Sequence, residues 1–154
     1  MSPMHEAPII TETARAIVAE LYLARGSAPV RMKFTASGVY ANLSISCFTY
    51  RNDLRGNFEE LVSPVPLPDY ILPLVAQLRD ECYVPNKGTW YSMEVELTAD
   101  SQIELTLNYR DEPLRFGKSY EFDEYLVDLV SYPISPEERQ EWLVEKLARD
   151  TMNV

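Results

Sequence analysis

Carboxylates are the one kind of reactive side chain this chain holds in quantity: 24 Asp and Glu, against one histidine and two cysteines. His5 lies in MSPMHEAPII, and residues 1–7 read as a frayed terminus. A Ser–His or Cys–His nucleophile pair would need His5 to reach back into the fold. A metal centre needs several His or Cys at set spacings, and those are missing. No Walker-type loop and no GxGxxG occurs, and 5 glycines leave little material for cradling a phosphate. Cys47 and Cys82 sit far apart in apolar contexts, without a CxxC or a His partner. They read as buried free thiols in a reducing compartment, which points to the cytoplasm, with a disulfide between them as the lesser alternative. Carboxylate pairs are the raw material of acid–base or Mg²⁺ chemistry, so a small carboxylate-based enzyme is one reading. With so many acids, any particular pair is a weak pointer to it.

The acids are not evenly spread. Residues 1–90 carry 9 acidic and 8 basic side chains, while residues 91–145 carry 14 acidic and 4 basic. Nearly all of the net charge of −10 therefore belongs to one stretch. Such a surface repels nucleic acid, because binding would release no counterions. It suits a basic protein, or it serves solubility alone. No apolar run approaches the roughly 18–20 residues of a membrane span. The N-terminus has no basic segment leading into a long apolar run, so no signal peptide is expected.

The concentration is sharpest in WYSMEVELTADSQIELTLNYRDEP, residues 90–113. Apolar and polar residues alternate on both sides of a turn at Asp100, the pattern of a half-buried β-hairpin. With that turn, Leu97 faces Ile103, Val95 faces Leu105 and Met93 faces Leu107, all on one side. The same register sets Glu96 against Glu104, with Glu94 along the same face. Like charges so placed cost a few tenths to about 1 kcal/mol. A cation such as Arg110, or one from a neighbouring strand, would remove that cost. Otherwise the face is an anionic plate for a positive partner. Asp111 and Glu112 extend it at the hairpin exit, followed by Glu121, Asp123 and Glu124, with aromatic Trp90 and Tyr120 at its margin.

The elements that position this hairpin follow from periodicity. Residues 9–25 are helical, with Ile10, Ala14, Ile17, Val18 and Leu21 on one face and Gly26 as C-cap. From Val30 the period becomes two, giving a strand, a turn at Ser37-Gly38, and a longer strand from Val39 through Cys47. RNDLRGN (51–57) is a polar turn, and SPVPLP (63–68) breaks any regular element. A helix over DYILPLVAQLRDECY carries Ile71, Leu74, Val75, Leu78 and Cys82 on one side. After the hairpin, residues 111–118 look irregular. YEFDEYLVDLVSY is a helix with Phe122, Tyr125, Leu126, Leu129 and Val130 facing inward. Ser135-Pro136-Glu137-Glu138 reads as a capping box opening a last helix with Trp142, Leu143 and Leu147. The order αββαββαα describes a single α+β domain over 1–154, with about four antiparallel strands and helices on one face.

The stretch 90–113, with YEFDEYLVDLV and YPISPEERQEW after it, resembles the YezG-like family of immunity proteins. The likeness is detailed over about residues 88–143, and the element order agrees over nearly the whole chain. Arg110 departs from it, standing where an acidic residue is expected after Tyr109. The resemblance implies an antitoxin that binds the C-terminal domain of a polymorphic or contact-dependent growth-inhibition toxin, many of which are nucleases. It implies stoichiometric inhibition in the cytoplasm, with no catalysis and no cofactor. Partner contacts are expected at Glu94, Glu96, Glu104, Asp111 and Glu112, with Trp90 as an anchor. A nuclease cleft is basic, so an acidic inhibitor gains steered association. The alternatives are an acidic regulatory or scaffold domain for another basic protein, and the small carboxylate enzyme.

Overall fold

The computed structural model describes residues 11–27, 30–40, 42–52, 59–98, 100, 102–115 and 117–152. His5, Ile10 of the expected helical face, and the turn residues Asp53 and Gly56 lie outside them. Helix α1 spans Glu12–Arg25. Thr11 accepts the Ala14 N–H at 3.0 Å as N-cap. Gly26, at φ 71°, donates its N–H to the Tyr22 carbonyl and ends the helix, as its position predicts. Strands β1 (Arg31–Val39) and β2 (Asn42–Asn52) follow, then β3 (Glu59–Pro64), helix α2 (Ile71–Glu81), β4 (Ser92–Leu97) and β5 (Ile103–Asn108). A two-residue ladder, β6 (Leu114–Arg115) with β7 (Lys118–Ser119), leads to α3 (Phe122–Ser131) and α4 (Glu141–Met152). The fold is α+β.

The main sheet has the order β3-β2-β1-β4-β5, all antiparallel. Both hairpins therefore join through β1 and β4, and β5 ends as an edge. One face is apolar: Met32, Phe34, Ala36, Met93, Val95, Leu97, Leu105 and Leu107 are buried there with Ala14, Ile17, Val18 and Leu21 of α1 and Ile71, Val75 and Leu78 of α2. A second cluster, Val39, Tyr120, Tyr125, Ile134 and Leu143, joins α3 and α4 to the end of β1. The expectation of helices on one face thus holds for α1 and α2, while α3 and α4 close the end of the sheet.

Several expected boundaries move. The sheet has five strands rather than four, because residues 59–64 pair with β2. Pro64 is tolerated there, since β3 is an edge strand and proline withholds only one donor. The first turn lies at Tyr40, not at Ser37-Gly38, which belong to β1. Gly38 is required by close approach instead: at φ 147°, an added Cβ would collide with the Asn42 carbonyl oxygen. Residues 136–138 form one 3₁₀ turn, and α4 starts only at Glu141. Helix α3 is rotated from its expected face. Tyr125 and Asp128 point inward, while Leu126 and Val130 are 40% and 82% exposed.

Candidate partner-binding face

The polar face of the sheet is uncovered by helices α1 and α2, which both lie behind it. Alternation puts Arg31, Lys33, Thr35 and Ser37 of β1 on this side, and register sets them beside β4. Lys33 pairs with Glu96, and Thr35 with Glu94. Across β4, Glu96 faces Glu104 and Glu94 faces Thr106, as the sequence register requires. The cation that offsets the Glu96 charge is Arg31 of the neighbouring strand β1, the second of the two expected sources, and it reaches Glu96 from the side away from Glu104. Arg31 Nε donates to Glu96 Oε1 at 2.9 Å, and its terminal nitrogen reaches the same oxygen. Lys33 Nζ lies 3.8 Å from Glu94 Oε1 and over the ring of Tyr50. Glu96 is drawn down toward β1, while Glu104 stays exposed on β5. The face is therefore mixed near β1 and anionic toward β5.

The hairpin exit is a built loop. Asn108 Oδ1 accepts the N–H groups of Arg110 and Asp111 at 3.1 and 3.0 Å, and its Nδ2 donates to the Asp111 carbonyl. Gln140 Nε2 donates to the Tyr109 carbonyl at 2.8 Å, and Trp142 Nε1 to the Arg110 carbonyl at 2.6 Å. Three consecutive carbonyls are thus held by side chains, so Asp111 and Glu112 leave a fixed backbone. Glu112 also accepts the Tyr125 hydroxyl at 2.7 Å. Burial, then that bond to the Glu112 carboxylate, push the Tyr125 hydroxyl well above its ordinary range. Between this loop and the sheet lies a hollow of about 350 Å³, floored by Thr35, Ser37, Ser92, Glu94, Thr106 and Asn108. Asp111, Glu112 and Leu114 form its wall.

Five of the six expected contact residues, Glu94, Glu96, Glu104, Asp111 and Glu112, come together on or beside this face. Trp90 does not. It is fully buried in the helix-covered core, so it offers no anchor to a partner. The ladder begins only at Ser92, and ahead of it the chain turns the indole inward instead of continuing the alternation. Tyr120 is likewise buried, beneath Arg115. Glu124 is consumed locally: it caps α3 at Glu121 and accepts from Asn42 at 2.6 Å. Those bonds, the backbone one first, hold its carboxyl below the usual range, with Arg115 adding to the effect.

Sequence reasoning missed the other charged cluster altogether. Arg79 of α2 and Asp128 of α3 form a bidentate pair, with N···O distances of 2.5 and 3.1 Å. Arg79 Nε donates to the Trp90 carbonyl, and Asp128 also accepts the Tyr40 N–H. The rings of Tyr91 and Tyr132 flank the guanidinium at 5.5 and 5.0 Å. Burial, then the charge of Asp128, push the Tyr91 hydroxyl far up. The available signal was a charged residue on each apolar helix face: Arg79 four after Val75, and Asp128 three after Tyr125. Cys47 and Cys82 are both free thiols, the first buried and the second half-buried. Burial pushes the Cys47 thiol up to about 11.

No protein-family model matches the chain, and no curated protein matches it. Among the described residues, no helix is long and apolar enough to cross a membrane.

Proposed function

We propose that the protein is an immunity protein of the YezG-like kind, which binds a cognate toxin domain and neutralises it by stoichiometric contact. The observation that carries the reading is the open sheet face. Glu94, Glu96 and Glu104 outnumber the two cations Arg31 and Lys33 on the strands, and the loop beside them adds Asp111 and Glu112 against Arg110. A nuclease must grip a phosphate backbone, so the matching toxin surface is basic, and complementary charge speeds encounter. The partner sought is a nuclease domain, met in the cytoplasm, with neither nucleic acid nor membrane as ligand. Of the carboxylates lining the hollow, Asp111 is exposed and Glu94 is so over 47% of its side chain, which supports contact with a partner over acid–base catalysis in a closed pocket. No cofactor enters this reading.

The test is co-expression with the toxic C-terminal domain encoded by the adjacent gene. Growth rescue and a stable 1:1 complex are the expected results. Glu96→Lys with Glu104→Lys should slow association at low salt while leaving the fold intact. A toxin domain that neither binds nor is neutralised by the wild-type protein defeats the proposal. An unchanged association rate in the double variant defeats the choice of face alone.

A further inference from the structure

The free edge of the sheet has a definite hydrogen-bonding parity. Thr98 donates to the Gln102 carbonyl at 2.9 Å, which makes that facing pair a hydrogen-bonded one. Alternation then assigns the β4 bonds of β5 to Glu104, Thr106 and Asn108. The β1 side agrees. Gly38 donates to the Tyr91 carbonyl, so within β4 the odd-numbered residues bond to β1, while the Tyr91 N–H, just ahead of the strand, crosses to the Asn108 carbonyl. The N–H and C=O groups of Ile103, Leu105 and Leu107 consequently point out of the sheet. Among the described residues nothing bonds to them. The next outward carbonyl, that of Tyr109, is already taken by the Gln140 side-chain amide, which stands where a further strand would be.

The two edges are defended differently. Strand β3 ends in Pro64 and pairs across a register shift at Thr49/Tyr50. Proline and bulges are the usual means of blocking an edge. Strand β5, IELTLN, carries no proline and no lysine, and its register with β4 is unbroken. Its one charge is Glu104, exposed on the open face. With a net charge of −10, a second copy of this chain is a poor occupant for that edge.

We infer that β5 is the docking strand: the basic partner adds an extended segment to it, pairing with the outward backbone groups of Ile103, Leu105 and Leu107. This rests on the binding function proposed above. Main-chain bonds supply adhesion in such pairing, and alternate side chains supply selectivity. The added segment sets a Lys or Arg beside Glu104 on the open face and apolar residues beside Leu105 and Leu107 on the other.

Amide hydrogen exchange, read residue by residue on the free protein and on its complex with the toxin domain of the adjacent gene, tests this. In the free protein the Leu105 and Leu107 amides should exchange at least about tenfold faster than those of Glu104 and Thr106. In the complex they should slow to match them. Ile103→Pro, which removes one outward N–H at the first strand residue, should weaken the complex about tenfold. A complex in which Leu105 and Leu107 still exchange rapidly overturns edge docking and leaves the function standing. Concentration-dependent protection of these amides in the free protein assigns the edge to a second copy and likewise overturns the inference. Failure of the wild-type protein to form any complex defeats both.

Discussion

Arg79–Asp128 and Arg31–Glu96 are the same chemical pair in two settings. The first is 1% and 5% exposed and ties two helices, the Tyr40 turn and Trp90 together. The second is 28% and 16% exposed and lies across two strands. A buried guanidinium has lost its water, so its partner is indispensable once the fold is made. A partly solvated one keeps some of its water, and its partner mostly adjusts local charge. One pair therefore holds the scaffold, and the other sets how negative the open face is.

The sharpest way to break this contrast is Asp128→Ala, which strands Arg79 and the Tyr40 N–H. We expect a loss of about 3–5 kcal/mol in urea denaturation, a large share of a typical domain's stability. A loss below about 1 kcal/mol would mean that Arg79 reaches solvent and that the two pairs are alike. The double replacement Arg79→Met with Asp128→Leu should recover most of that loss, because no unpaired charge then remains. A double variant as unstable as Asp128→Ala would instead assign the cost to packing.

Alkaline titration separates the buried scaffold from the face by another route. Burial pushes Cys47 from 9.0 up to about 11, and Tyr109 and Tyr132 from 10.0 up to about 12. Unfolded, these groups shed protons at their ordinary values, so between those limits the folded state binds more protons and stability falls as pH rises. Their contribution is fully present below pH 9 and lost through pH 11–12. Thermal melts should show a downward slope beginning above pH 9. Phenylalanine at Tyr109 and Tyr132 should flatten the upper part of it.

The smallest effects belong to the open face. Arg31→Ala should cost less than about 1 kcal/mol and be damped by salt. Glu104→Lys should stabilise by a few tenths of a kcal/mol, by replacing the like charge opposite Glu96. Both should alter the rate of partner association more than folding, the reverse of Asp128→Ala.

The sequence by itself determined the local matters. Alternation in 92–108 was enough for the hairpin, its core face and the Glu96–Glu104 register, because side-chain direction in a strand has period two. Gly26 and the apolar spacing of α1 were legible for a like reason, since caps and helical faces depend on neighbours within one turn, whereas the Thr11 cap was not read and the helix starts at Glu12, later than its periodicity suggested. Only the tertiary structure decided which strands adjoin. Joining the hairpins through β1 and β4 brought Arg31 to Glu96, left β5 as the edge, and put the two residues of the pair 65 positions apart in the chain side by side. It also turned α3 so that Asp128, not Val130, faces inward, because a buried Arg79 needs a carboxylate more than the core needs another valine. Trp90 went the same way. Its aromatic character suggested an anchor at an interface, but burial depends on where the ladder starts, and that is decided by pairing across strands distant in sequence.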